Sequence, residues 1–512
     1  SRRFAPILHR RYVMKRLFGI ILIMTLLVSM TACANKIITD EPDIIEHDAV
    51  LSSISESGSE NYISISENQR EESSAAESSA AEASSESSSA PVSSSSSSSK
   101  PEASSKPQSE SSKPASSSAA SQSSSKPASD SSSSEQKPQN STTPAVSGEV
   151  KAMWISYLEY QSMLTGKSEK EFKNSIKTMF ANLASDGFNT VYVHARSHSD
   201  AYYASDIFPW SVYCTWTEGQ NPGFDPLKIM VKEAHAAGLK IEAWINPYRI
   251  SGKTDTSKIS KSNPAYKWLD TDKVVVVEKT GIFYNPADED VIDLVVRGVE
   301  EIVSNYAVDG IHFDDYFYPT TDESFDSSYY KSYKSDGGRL SLAAWRRQNV
   351  NELVSRVYSA IKDINPDCIF GVSPTGNTNS NYSTLYCDVY TWVTSSGYVD
   401  YICPQLYYGF NHKSLPYLAV LDEFDSMITK SGVKLIVGLA AYKAGAEDTY
   451  AGSTGKLEWT QSSDILSREV AAARNAKNYG GFAVYRYDSL YNPAKSVADI
   501  VKKERQNLIN IM

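Results

Sequence analysis

The run DGIHFDDYFYP, residues 309–319, opens like a buried strand and ends in two adjacent acids, aromatic residues and a proline. Strand side chains alternate between faces. Gly310, His312 and Asp314 therefore share one face, and apolar Ile311 and Phe313 share the other with Asp315. If the apolar face packs against helices, Asp314 points into the opposite space beside His312. Asp315 sits where the strand ends and can turn either way, and Asp309 caps or tethers the strand entry. A carboxyl among aromatic rings loses hydration, which raises its pKa and fits it for general acid work. The structural alternative for Asp314 is an ion pair with Arg196 or Arg249 and no chemistry. A carboxyl acid of this kind commonly works with a second carboxyl, for which there are three candidates: Asp315, Asp200 and Glu242. Asp200 reads equally as a ligand or a loop cap, and Glu242 equally as a buried acid paired with an Arg.

These acids need a scaffold. From Glu149 onward apolar strands alternate with amphipathic helical stretches, and all eight Trp and all but two of the 32 Tyr lie there. The strands read as 151–158, 190–196, 240–247, 310–316, 369–374, 401–407, 434–442 and 481–487. The helical stretches read as 168–185, 225–238, 285–306, 342–364, 418–432 and 463–480, with a weak one around 385–395. Ser168 and Glu171 form a capping box, and Asp225-Pro226 is a cap followed by a first-turn proline. Eight strand–helix repeats imply an α/β fold, a closed (β/α)8 (TIM) barrel. The surplus length sits in long loops after strands one to four, where 273–286 forms a small hairpin. The competing reading, an open doubly wound sheet, calls for a Gly-rich phosphate turn after the first strand, and none follows Tyr160.

A barrel of this kind carries its site at the C-terminal strand ends. Those ends supply Trp154, His194, Arg196, Asn246, Tyr248, Arg249, His312, Gln405, Tyr407 and Arg486, besides Ser373 and Tyr485. The set is aromatic and polar, suited to stacking on sugar rings and bonding hydroxyls, and poor in the Lys and His that phosphate or zinc would demand. A net charge of −11 excludes nucleic acid as a partner. Cys214, Cys368, Cys387 and Cys403 lack metal-ligand spacing and read as small hydrophobes. No metal or organic cofactor is expected, and the chain reads as a monomer.

Residues 14–33, MKRLFGIILIMTLLVSMTAC, combine a basic start, a short apolar run and small residues before Cys33. That is a secretory signal, and Met30-Thr-Ala-Cys33 resembles the lipobox of bacterial lipoproteins, with Met30 where Leu is usual. Cys33 is the expected lipidation site, which would hold the chain on the outer face of the cytoplasmic membrane. Residues 34–147 are mainly Ser, Ala, Glu, Lys and Pro. They have almost nothing apolar to bury and read as a disordered tether, with a mean reach of about 50–60 Å. The folded domain is expected over 148–512.

The segments AMWISY (152–157), VYVHARSHSDAYYAS (191–205), FDPLKIMVKEAHAAGLKIEAWINPYR (224–249), DGIHFDDYFYP, SPTGN (373–377) and YICPQLYYGF (401–410) together resemble the glycosyl hydrolase-like family 10 of bacterial lipoproteins and secreted proteins. The resemblance covers nearly all of 149–490. It implies a (β/α)8 glycosidase fold and, as substrate, peptidoglycan glycans stripped of their peptides. More distantly, 309–316 resembles the D-G-x-D-x-D-W-E signature of family 18 chitinases. Asp309, Gly310 and Asp314 match it, but His312 replaces its first inner Asp and Tyr316 replaces its Glu. A chitinase mechanism therefore does not transfer unchanged. If Asp315 turns inward, the paired acids also resemble polysaccharide hydrolases of bacterial biofilms. The expected function is a lipid-anchored hydrolase of a GlcNAc-containing polysaccharide. A non-catalytic glycan-binding barrel and a hydrolase of exogenous polysaccharide are the alternatives.

Overall fold

The computed structural model describes residues 148–512. The signal segment, Cys33 and the tether lie outside the described residues. Strands β1 (Val150–Ile155), β2 (Thr190–Arg196) and β3 (Lys240–Ile245) are followed by a separate antiparallel sheet of β4 (Arg249–Ser251), β5 (Val274–Val277) and β6 (Gly281–Tyr284). Strands β7 (Gly310–Phe313), β8 (Ile369–Val372), β9 (Tyr401–Ile402), β10 (Lys434–Ala440) and β11 (Tyr479–Tyr485) continue the main sheet. The eight main strands run parallel in the order β1-β2-β3-β7-β8-β9-β10-β11, and β11 pairs with β1 to close the ring. Closure excludes the open doubly wound sheet.

Each strand divides its side chains between two cores. Met153, Ile155, Val191, Val193, Ile311 and Phe313 face outward into the layer shared with the helices. Trp154, Tyr192, Trp244, Tyr401 and Tyr485 fill the barrel itself. Glycine makes room for the interior rings: a Cβ on Gly371 would lie 2.0 Å from the Tyr401 ring, and one on Gly310 would lie 2.8 Å from Glu242 Cγ.

The helices start where their caps dictate. The helix Glu169–Ser185 opens on the Ser168–Glu171 capping box, and Pro226–Ala236 opens on Asp225 with proline in its first turn. The third, expected from residue 285, begins at Glu289 because Asp288 is the residue that caps it. The weak helix is real but short, Val389–Thr394, capped by Asp388. The stretch 463–480 is helical only over Ile465–Ala473. A final helix, Ala498–Ile509, was not among the expected elements. It packs on Ile465–Ala473, and the Glu504 carboxylate accepts the Leu466 amide at 2.5 Å. The longest connections fall after β2, β3 and β7, while the one after β10, residues 441–478, is longer than the one after β1, and β5 and β6 form the hairpin expected in 273–286.

Candidate active site

Strand β7 ends at Phe313, so Asp314 and Asp315 are the first residues of the loop at the barrel mouth. Asp309 tethers the other end: its Oδ2 accepts the Ile241 amide at 2.8 Å and lies 3.0 Å from His235 Nε2. Asp314 keeps the inward direction of Gly310 and His312 and is 4% exposed. Trp244 donates its indole N–H to Asp314 Oδ2 at 3.0 Å, and the Tyr316 amide approaches Oδ1 at 3.4 Å. Burial pushes the Asp314 carboxyl up to about 7, and the Asp315 charge adds to the rise. Arg249 and the Trp244 bond oppose it. Asp314 is thus poised to hold a proton near neutral pH.

Asp315 is half-buried and lines a cavity of about 460 Å3 at the mouth. Tyr316 and Tyr318 continue that wall from the same loop, and Gln405, Tyr407 and Arg486 line it from the segments that follow β9 and β11. Gln405 Nε2 is fixed on the Ser373 carbonyl at 3.2 Å. Arg486 is fixed on Glu159 at 2.7 Å. Arg249 spreads over the Tyr316 ring at 4.5 Å and donates Nη2 to the Ser197 carbonyl at 3.2 Å.

Other expected ligands are in the packed interior instead. His312 is fully buried, and burial pushes its pKa down to about 3, so it is neutral. The Trp154 indole can only donate, so His312 Nε2 accepts from it at 3.2 Å and Nδ1 carries the proton toward Tyr401 Oη at 2.8 Å. Tyr401 in turn donates to Glu242 at 2.6 Å. Glu242 is therefore a buried acid below the mouth, bonded to a tyrosine and not to the arginine that its structural reading expected. Burial raises its pKa to about 8. Trp154 and His312 support the site from beneath and do not face the cavity. His194 also lies beneath: its Nδ1 accepts the Tyr157 amide at 3.1 Å, and its ring stacks on Trp244 at 3.3 Å. Asn246 is buried and accepts the Arg249 amide at 3.0 Å, shaping the turn that aims Arg249. Tyr248 is buried against Phe317, 6.4 Å between centroids.

Arg196 and Asp200 are not brought to the cavity. His194 pairs with Trp244 but Arg196 pairs with Ile245, so Ala195 is an extra residue, a bulge. The bulge reverses the alternation and gives Arg196 the outward direction of Ile245. There its guanidinium lies 3.7 Å from the Phe208 ring centroid, beneath the loop that follows β2. Asp200 is buried in that same loop, bonded by Ser211 and the Val212 amide, and burial pushes its carboxyl up to about 7.

Two participants were missing from the expected site. Trp244, two residues before Asn246, is the direct partner of Asp314. Glu159 accepts from Ser156 N, Ser156 Oγ, Arg486 and the Asp488 amide. Its signal was the S-x-x-E pattern Ser156-Tyr-Leu-Glu159, a capping box.

The profile described as Glycosyl hydrolase-like 10 matches residues 149–451. Glycosyl hydrolase YngK of Bacillus subtilis (strain 168) is 35% identical over 317 residues, 58% of this chain and 61% of its own length. Glycosyl hydrolase DigH of Escherichia coli (strain K12) is 31% identical over 331 residues, 60% of this chain and 74% of its own. The chain thus spans less than two thirds of YngK. Among solved structures, the glycoside hydrolase domain of PgaB (BpsB) from Bordetella bronchiseptica aligns over 71% of this chain and 99% of that one, with a TM-score of 0.48 and 12% identity.

Proposed function

The chain belongs to the glycosyl hydrolase-like 10 family, and we propose that it hydrolyses O-glycosidic bonds at the mouth of its barrel. The observation that carries this reading is the Asp314–Asp315 pair. One carboxyl is buried on Trp244 with its pKa near 7, and the next faces a sugar-sized cavity walled by tyrosines. In this reading Asp314 holds the proton for the leaving oxygen. Asp315 presents the charge that an oxocarbenium-like transition state demands, alone or with an N-acetyl group of the substrate. Gln405, Tyr407, Arg249 and Arg486 hold the sugar. The proposed substrate is a GlcNAc-containing polysaccharide, the glycan strand of peptidoglycan. The tyrosine-rich wall supports a sugar ligand, and the motif resemblance supports this particular polymer. The proposed setting is the outer face of the cytoplasmic membrane, with the chain anchored through Cys33 and working as a monomer.

The test is digestion of purified glycan strands, with and without stem peptides, followed by mass spectrometry of the products. Cleavage of stripped strands that disappears in Asp314→Asn supports the reading. Binding without cleavage would replace it with a glycan-binding barrel. Cleavage of unrelated polysaccharide alone would replace the substrate.

A further inference from the structure

The cavity beside Asp315 is lined from most of the loops at the mouth, but not from the loop after β2. From Tyr316, in the cavity wall, a second line of flat side chains leads toward that loop. The Arg249 guanidinium lies 4.5 Å from the Tyr316 ring and 6.0 Å from the Tyr157 ring, and Tyr157 lies 5.0 Å from Tyr213. His198 flanks both tyrosines, 5.5 Å from Tyr157 and 6.2 Å from Tyr213. Tyr213 belongs to the short helix Val212–Thr215, and Trp216 follows it. Trp216 is 61% exposed, the most exposed of the large apolar side chains among the described residues. Its backbone is left-handed, φ 68°, a conformation disfavoured for a bulky residue and retained only where the surroundings impose it. A folded chain gains nothing by holding the largest apolar side chain in water at a strained position.

The cavity side ends in the same way. Tyr442 lies 5.8 Å from Tyr407 and is 39% exposed, and Tyr450, which lines the same cavity, is 48% exposed. Tyr213 and Trp216 stand on the loop after β2, and Tyr442 and Tyr450 on the loop after β10. Those strands are three steps apart around the ring through β1 and β11. The carboxylates, on the loop after β7, lie between two rows of aromatic residues that each run out to the rim.

We propose that Trp216 is a distal sugar-stacking platform, and that the row Tyr316–Tyr157–Tyr213–Trp216 binds the part of a linear glycan lying on the side of the cleaved bond opposite the Tyr407–Tyr442 cavity. This rests on the glycosidase reading and extends it to the form of the substrate. The ligand is a chain with sugar units on both sides of the scissile bond, cut internally and not trimmed from an end. Apolar sugar faces stack on aromatic rings without needing a charged partner.

The experiment uses peptide-free glycan strands of graded length, with the reducing end labelled. The wild-type chain is expected to release internal fragments early. Trp216→Ala is expected to lower kcat/KM for long strands by about tenfold, the scale of one stacking contact, and to lower it much less for the shortest cleavable ones. Trp216→Phe, which keeps a ring, should recover most of the loss. Binding of long strands to Asp314→Asn, alone and combined with Trp216→Ala, is measured in parallel. Equal effects of Trp216→Ala at every length, or none, would overturn the platform while leaving the hydrolase standing. Absence of turnover at every length, with binding that still depends on Trp216, would overturn the hydrolase and keep the platform. Release of single terminal units from the start would overturn internal cleavage.

Discussion

Trp244 on β3 and Asp314, the first residue after the neighbouring strand β7, share one hydrogen bond, indole N–H to carboxylate, 3.0 Å long and sealed from water. The other face of the indole is stacked on His194 at 3.3 Å, and His194 is pinned by the Tyr157 amide. The acid is thus oriented by a ring that has little freedom to move. A donor to a carboxylate favours its charged form, so this bond holds the Asp314 pKa down against the larger upward push of burial.

Trp244→Phe should keep the stack and remove the donor. The Asp314 pKa then rises. If protonated Asp314 is the working acid, activity falls as pH climbs through its pKa, so the alkaline limb of kcat/KM should move from near 7 to higher pH by up to about one unit. A limb that stays in place, or moves toward acid, would separate Trp244 from the proton that matters.

Asp314→Asn keeps the side-chain shape and removes the titratable proton. The rate on cleavable glycan should drop by about 10² to 10⁴, the usual scale for general acid–base catalysis. Asp315→Asn should cost a similar factor, because Asp315 is the carboxylate that lines the cavity. Neither variant should unfold at a lower temperature than wild type, since neither acid belongs to the interior aromatic core, and Asp314→Asn should gain at neutral pH because it removes a buried titrating carboxyl. Full activity in Asp314→Asn would send the search for the acid elsewhere.

The barrel was legible in the sequence because each of its eight strands carries its own apolar outer face, and that pattern survives in every strand. The height of a residue within the barrel was not. His312 and Asp314 share a face by alternation, yet His312 falls in the packed layer with Trp154 and Tyr401 while Asp314 falls at the mouth. Alternation fixes a direction and leaves depth open. Arg196 was misplaced for a different reason, since one extra residue, Ala195, turns everything after it to the other face. Trp244 was on the correct face but looked like core, because nothing in a strand pattern shows that an indole N–H ends on a carboxylate.

The loop that carries Asp315 and Tyr316 is anchored by Arg346. Its guanidinium bonds Asp326 at 2.6 and 2.9 Å and reaches the carbonyls of Thr321 and Asp322, with both ion-pair partners fully buried. Arg346→Met should leave the Asp326 charge buried and unpaired, at a cost of about 3–5 kcal/mol. The double variant with Asp326→Asn should recover part of that. Thermal unfolding of the three proteins measures it, and a single variant as stable as wild type would show that the loop is held by its aromatic contacts alone.

Anchoring is tested at Cys33. A diacylated cysteine supplies the membrane affinity that the chain is proposed to use, so Cys33→Ala should move the protein from the membrane to the soluble fraction after cell fractionation. Retention at the wild-type level would assign the anchor to the apolar run that precedes Cys33.

Stability should fall as pH rises from about 5 to 8, and Glu242 should account for part of the fall. Its carboxyl is buried beneath His312, with its pKa raised from 4.5 to about 8 in the folded protein. Below 4.5 folded and unfolded chains both hold the proton, and the favourable contribution is fully present. Between the two values the unfolded chain releases the proton freely while the folded chain keeps it, so each pH unit removes up to about 1.4 kcal/mol. Above about 8 the loss is complete. Asp314, Asp200 and Glu504, each raised to about 7 mainly by burial, add slopes of the same sign. Glu242→Gln keeps an acceptor for Tyr401 Oη but has nothing to titrate. It should therefore be less sensitive to pH, and its Tm should gain on wild type steadily from pH 5 to 8. Two Tm curves that run parallel across this range would mean that Glu242 titrates at an ordinary pH in the folded chain, and that water reaches its carboxyl.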